Sequence, residues 1–367
     1  AGADIAVIEG VMGLYDGRLG TDGFASTAHV AALTTTPVLL VLDVAVLSRS
    51  AGAIVAGMAW YDPDIQVTGV ILNRATPGPN LTEIIRSIDR TGIPVLGALP
   101  EDEQLTAPSR HLGLVPAAER DASTELIARL GEQVARHVDL DGIVELARSA
   151  PNLDAEPWNP AAVVRQTSNR RPVIAVAGGR AFTFRYPETD ELLRAAGCEV
   201  TIFDPLMDSA LPAGTRGIYL GGGFPETYAT ELAANQTLLS DLRAAVADGI
   251  PTVAECAGLL YLAESLDGHP MAGVLPITAS FSDRLTLRYP YATAPGDSLL
   301  TRAGEQVTGH EFHRTRTVPD HGAQPAWIID GQPTGFATAT CHASYLHVHW
   351  AGHPQLAQRF VDAALDR

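Results

Sequence analysis

Short apolar runs recur along the chain at spacings that suit buried strands. Ile5–Glu9, Val38–Asp43, Val67–Asn73 and Val95–Leu99 are rich in Val, Ile and Leu without polar alternation. That is the pattern of parallel strands covered on both faces. Helical patterns fill the intervals at Ala25–Leu33, Ser50–Trp60 and Leu81–Thr91, and Pro37, Gly69 and Pro94 mark junctions. Strand–helix alternation predicts a parallel sheet, with ligands at the carboxyl ends of its strands. A loop over Pro100–Pro116 and a helix over Ala122–His137 follow.

Ser149–Arg171 lacks periodicity and carries Pro151, Pro157 and Pro160, so it reads as a linker. Beyond it a second α/β pattern begins. Strands are predicted at Val173–Ala177, Glu199–Phe203, Gly217–Leu220 and Thr252–Glu255, and helices at Glu188–Ala196 and Tyr228–Asp248. After Leu266 the pattern turns β-rich, at Leu285–Ala292, Glu305–Thr315, Trp327–Ile329, Gly335–Ala339 and Tyr345–His349. A helix over Pro354–Leu365 closes the chain. The expected organisation is a first α/β domain over 1–148, a linker over 149–171 and a second α/β domain over 172–367.

Composition narrows the function. The 367 residues include 42 acidic side chains against 25 cationic ones, a net charge of -17, which repels nucleic acid. The apolar runs are too short to span a bilayer, and no signal peptide is evident. The 3 cysteines cannot build a disulfide framework, so a cytoplasmic protein is expected. All the cations are Arg, which excludes a P-loop lysine and a Schiff-base lysine from this chain.

Thr252-Val253-Ala254-Glu255-Cys256-Ala257-Gly258 sets a cysteine between a predicted strand and helix. Small residues after it suit a sharp elbow that lifts a nucleophile clear of a sheet. The helix N-terminus is expected to lower the thiol pKa. A buried structural cysteine is the plainer alternative. Upstream, Leu220-Gly221-Gly222-Gly223 could turn backbone N–H groups inward as an oxyanion hole, or could be an ordinary strand-end turn. Downstream, His347 and His349 project to one face of an extended segment, and either could shuttle the thiol proton. A zinc site from His347, His349 and His353 lacks a fourth ligand at a fitting spacing. Cys198 and the Cys341–His342 pair read as packing.

Together these residues resemble the class I glutamine amidotransferase domain, in which a cysteine attacks the glutamine amide, forms a glutamyl thioester and releases ammonia. The resemblance implies Cys256 as nucleophile, and Ala257 N–H with the N–H of Gly222 or Gly223 as oxyanion hole. Tyr345-Leu346-His347 matches the Y-L-H motif of the cobyrinic and cobyric acid synthases, which implies His347 as the base. Most amidotransferases of the class continue His-x-Glu, the Glu orienting the imidazole. This chain has His349 there, so the third triad member is unassigned and weak free glutaminase activity is implied.

The first domain carries Ile8-Glu9-Gly10-Val11-Met12-Gly13-Leu14-Tyr15-Asp16-Gly17, an apolar strand running into a Gly-rich turn with two carboxylates. A carboxylate at a strand tip is placed to hold Mg²⁺ near phosphates, although turn and cap roles are common for such acids. With Ser26-Thr27-Ala28, Val38–Asp43, Gly69–Arg74 and Arg110–Leu114, the phrase resembles the cobyrinic acid a,c-diamide synthase family, including its hydrogenobyrinic acid form. The likeness continues through Phe184–Glu188, Gly309–His313 and Ser344–His349 and spans nearly the whole chain.

That resemblance implies a dethiobiotin-synthetase-like nucleotide-binding domain joined to the amidotransferase domain. It implies ATP and Mg²⁺ as cofactors, and L-glutamine and a corrinoid (cobyrinic or hydrogenobyrinic acid) as substrates. The a and c side-chain carboxylates would be amidated through acyl phosphates, in cobalamin biosynthesis. Glu9 is implied as a Mg²⁺ ligand, Asn73 as contacting the adenine, Asp43 as lining the ATP site, and Asp16 as lying at the corrinoid carboxylates. Gly309–His313 is expected to border an ammonia route.

The family's P-loop would lie roughly 80 residues' worth of strands and helices before Ala1, so an N-terminally truncated chain is expected. Cobyric acid synthase, a nickel-sirohydrochlorin a,c-diamide synthase and a non-turnover binding remnant are the alternatives. A homodimer is left open.

Overall fold

The computed structural model describes residues 3–102 and 123–367, and the chain divides into two compact units, Ala1–Glu156 and Pro157–Arg367. The Arg110–Leu114 phrase lies outside the described residues.

In the first unit, β1 (Val38–Asp43), β2 (Val67–Asn73) and β3 (Val95–Ala98) form a parallel sheet in that order. Helices Ser50–Trp60 and Pro79–Asp89 bury Val55, Ile84 and Ile88 against Val70 and Leu72 of β2. The strands form where Val, Ile and Leu run together because both faces of a central parallel strand are covered. The expected strand at Ile5–Glu9 does not form. Its residues are exposed (Val7 at 91%) and irregular, because an apolar run becomes a strand only where a neighbouring strand takes up its backbone hydrogen bonds. A helix absent from the sequence expectation, Leu140–Arg148, starts where the Asp139 carboxylate accepts from Gly142 N–H at 2.9 Å.

The stretch 149–171 is shared between the units. Its later part is fastened to the second one: Val164 is buried, and Arg165 N–H donates to Gln358 Oε1 at 2.6 Å.

The second unit is built on a six-stranded sheet. Its strands are β4 (Val173–Ala177), β5 (Glu199–Phe203), β6 (Thr215–Leu220), β7 (Thr252–Glu255), β16 (Phe336–Ala337) and β17 (Cys341–Ser344), in the order β16-β17-β7-β6-β4-β5. All neighbours are parallel except β16 with β17. One face packs on helices Ala229–Ala234, Gln236–Ala247 and Ala257–Leu262. Helices Pro187–Ala195 and Pro354–Leu365 contribute to the other.

The intervening chain forms two small sheets. β8 (Ser265–Leu266), β9 (His269–Pro270), β10 (Thr278–Arg288) and β13 (Glu311–Val318) make one. β11 (Tyr291–Thr293), β12 (Gln306–Thr308), β14 (Trp327–Ile329) and β15 (Gln332–Thr334) make the other.

Three expectations are corrected here. The long helix over Tyr228–Asp248 is two helices, because Asn235 leaves the helical conformation and its side chain caps the second by accepting from Leu238 N–H. The strand expected at Glu305–Thr315 breaks at Gly309-His310 into β12 and β13. The strand beside β7 is Cys341–Ser344 rather than Tyr345–His349, which runs on as irregular chain past the sheet edge.

Candidate active site

The site lies at the carboxyl ends of β6, β7 and β17, the usual place for a ligand on a parallel sheet. Cys256 follows β7 directly and precedes helix Ala257–Leu262. Its backbone sits at φ 50°, ψ -97°, a conformation a non-Gly residue rarely holds and one typical of functional positions. The elbow is pinned from three sides. Cys256 N–H donates to Ser344 O at 2.8 Å, Leu260 N–H to Cys256 O at 3.2 Å and Gly258 N–H to Gly221 O at 3.1 Å.

The same β7–β17 register delivers the histidine. Ser344 is the partner of Glu255, and the chain leaving β17 reaches His347 three residues later. There His347 forms an isolated bridge with His310, exchanging N–H···O bonds of 2.9 and 3.0 Å. A Cβ on Gly222 would stand 2.5 Å from His347 Cε1, so the glycine is what lets the imidazole dock on the loop after β6. A Cβ on Gly223 would stand 2.0 Å from Ala181 O. The glycine run thus marks close approaches on both sides of the site.

The backbone donors are sorted by their bonds. Gly222 N–H is taken up by Phe184 O at 3.2 Å, while among the described residues Gly223 N–H meets no acceptor. Ala257 N–H is directed toward the Cys256 thiol. Of the glycines expected to supply an oxyanion donor, Gly223 has its N–H available and Gly222 does not.

Electrostatics revise the expectation of a lowered thiol pKa. Burial pushes the Cys256 thiol up, and the charges of Glu226, Glu255 and Glu311 add to this, while the Ala257 N–H only partly offsets it. The thiol is therefore neutral at rest. Burial, then the neighbouring His310 and His313, bring His347 down to about 3. A neutral thiol and a neutral imidazole stand ready, with the proton to be moved only as the nucleophile attacks.

His347 and His349, expected on one face, are separated. His347 is 6% exposed, whereas the His349 side chain is half exposed, with Nε2 3.4 Å from Glu188 Oε2. The reason is that the segment is not a strand, so alternation does not hold.

Glu255, not among the residues expected from the sequence, also reaches the site. Its carboxylate is 5% exposed, its Oε2 accepts from Tyr219 OH at 3.0 Å and lies 3.9 Å from His347 Nδ1. The available signal was a lone acid closing the apolar run Thr252-Val253-Ala254. The Gly309–His313 segment reaches the site through His310. Its His313 ring is stacked on Tyr345 at 3.8 Å, and Glu311 is buried and paired with Arg288.

In the first unit, Asp43 and Asn73 are register partners at the tips of β1 and β2. The Asp43 carboxylate accepts from Arg74 Nε at 2.9 Å, which holds it below the usual carboxylate range. Glu9 lies on the exposed irregular stretch, and Asp16 closes a turn through its N–H to Gly13 O at 3.0 Å. Among the described residues no group of three or more His, Cys, Asp or Glu side chains is gathered as a metal cluster. No described helix is long and apolar enough to cross a membrane.

Comparison with known proteins agrees with this division. Residues 173–355 match a family model described as a CobB/CobQ-like glutamine amidotransferase domain, and residues 1–109 match one described as an AAA domain. The chain is 55% identical to a hydrogenobyrinate a,c-diamide synthase of Thermobifida fusca, over 98% of this chain and 79% of that protein. It is 45% identical to the protein of that name in Streptomyces coelicolor, over 98% and 81%. It is 38% identical to a cobyrinate a,c-diamide synthase of a Synechococcus strain, again over 98% and 81%.

Proposed function

We propose, from the premise that this chain belongs to the family of a,c-diamide synthases with a CobB/CobQ-like glutamine amidotransferase domain, that it amidates hydrogenobyrinic acid at its a and c carboxylates with ammonia drawn from glutamine. The metal-free macrocycle is favoured over cobyrinic acid because the relatives of higher identity carry that name.

The observation that carries the glutamine half is the strained Cys256 elbow after β7, with the buried His347 on the chain that leaves the strand paired to β7. The neutral His347 imidazole takes the thiol proton as sulfur attacks the amide carbon of glutamine. Gly223 and Ala257 N–H groups receive the charge on the carbonyl oxygen. The proton then passes from His347 to the departing nitrogen. Ammonia leaves a glutamyl thioester on Cys256, and water, with its proton taken by His347, releases glutamate.

An amide forms from a carboxylate only once one carboxylate oxygen has become a leaving group. ATP on the first unit supplies that activation in this reading, with Asn73 and Asp43 beside it. Glu9 would hold Mg²⁺ beside the phosphates, the ion neutralising their charge when bound.

The test is ammonia release from glutamine by the chain, its Cys256→Ala variant and its His347→Asn variant, with macrocycle present. Loss in both variants, by about 10³-fold or more, is expected for members of one catalytic unit. Undiminished hydrolysis by Cys256→Ala overturns the reading.

A further inference from the structure

We infer that Glu255 is the residue that orients His347, taking from the position before the nucleophile the part that an acid two residues after the histidine would otherwise play. This rests on the glutaminase reading above and deepens it.

Three observations converge. Oε2 of Glu255 lies 3.9 Å from His347 Nδ1, both side chains being buried. The same oxygen accepts from Tyr219 OH at 3.0 Å, so the carboxylate is held in a fixed place by a residue of β6. The position that would carry the orienting acid, His349, is turned to Glu188 instead. A carboxylate buried among Tyr219, Val348 and Trp350 of an otherwise apolar core costs stability and calls for a role.

The chemistry follows from which nitrogen faces the acid. With its proton on Nδ1, the nitrogen that faces Glu255, the imidazole keeps the Nε2 lone pair to receive the Cys256 proton. When Nε2 is protonated, the ring carries a positive charge beside the ionised Glu255, and no proton leaves Nδ1. At 3.9 Å the two groups attract more strongly as that charge develops.

Burial raises the Glu255 carboxyl to about 8, with Tyr219, the Val348 amide and the Trp350 indole offsetting part of the rise. The groups facing it are His347, Tyr219 and Tyr186, with Asp190 acting on Tyr219 and Cys256 next in the chain. The ionised, competent form therefore grows as pH climbs toward 8, the proton going to solvent before turnover.

Two measurements decide the matter. Nitrogen-15 NMR of histidine-labelled wild-type chain gives the His347 tautomer directly. Nδ1–H is expected, and Nε2–H overturns the inference without any variant. Glutaminase kinetics of Glu255→Gln should show kcat down by about 10²-fold or more, as when the orienting acid of a triad is neutralised. KM for glutamine should stay unchanged, the rise of kcat toward pH 8 should disappear, and Glu255→Asp should recover part of the rate. A folded Glu255→Gln with wild-type kcat and pH profile overturns the inference. If Cys256→Ala still hydrolyses glutamine, it is the glutaminase reading that fails instead.

Discussion

The imidazole of His310 is stacked on that of His347, with ring centroids 4.7 Å apart and planes 8° from parallel. The two residues also exchange main-chain hydrogen bonds, so the stack is set by the backbone. Both rings are held below the ordinary histidine range, chiefly by burial, and a charge on one opposes a charge on the other. His347 consequently meets glutamine as a base.

Replacing His310 with Phe keeps a flat ring on His347 and removes the second ionisable group. The His347 pKa should move up from its value of about 3, while burial, the largest cause of its depression, remains. Nitrogen-15 NMR titration of the His347 ring in the variant checks this: no upward movement would contradict it.

Gly222→Ala and Gly223→Ala should fail in different ways. At Gly222 the new methyl meets His347 Cε1 at 2.5 Å and pushes the ring aside. Misplacement of that size costs about 10²-fold in rate, with a melting temperature close to wild type. At Gly223 the methyl meets the Ala181 carbonyl at 2.0 Å, and backbone must move. There the loss should be of stability, by about 3 kcal/mol or more. Paired measurement of glutaminase rate and thermal unfolding separates the two.

His342 is buried against Trp327, its Nδ1 has no hydrogen-bond partner among the described residues, and burial brings it down to about 4. A histidine with its folded pKa below its unfolded one stabilises fully above the unfolded value, near 6.5, and loses that contribution as pH falls toward 4. His342→Leu should flatten the fall in stability between those limits, by about 3 kcal/mol at its acid end. Denaturant unfolding across this pH range checks it.

Asn73→Ala should weaken ATP binding, measured by calorimetry, and leave Cys256-dependent glutamine hydrolysis in place, since the two residues belong to separate compact units. Parallel loss of both would contradict the division of labour.

Much of the architecture was legible. Val38–Asp43, Val67–Asn73 and Val173–Ala177 are strands with the bounds their apolar runs predict, because sequence hydrophobicity and double-sided burial coincide there. Ile5–Glu9 has the same composition and is not a strand, since pairing is a property of neighbours rather than of the run itself. Cys341–Ser344 was hidden by small and polar residues, yet it is the strand that pairs with β7 and leads into His347. Cys256, His347 and the glycine run could be picked out by type and order. Glu255 could not be tied to His347, because their proximity exists only through the β7–β17 register. The helix-end argument for a lowered thiol pKa failed because burial and three nearby carboxylates outweigh one N–H group.

The central claim is that sulfur of Cys256 carries the glutamyl group. Acid-quenching the chain during glutamine turnover and weighing its proteolytic peptides tests this directly. A glutamyl adduct on the Cys256 peptide, absent from Cys256→Ala, is the expected result. Steady glutamine hydrolysis with that peptide unmodified, or with the adduct on Cys198 or Cys341, would contradict it.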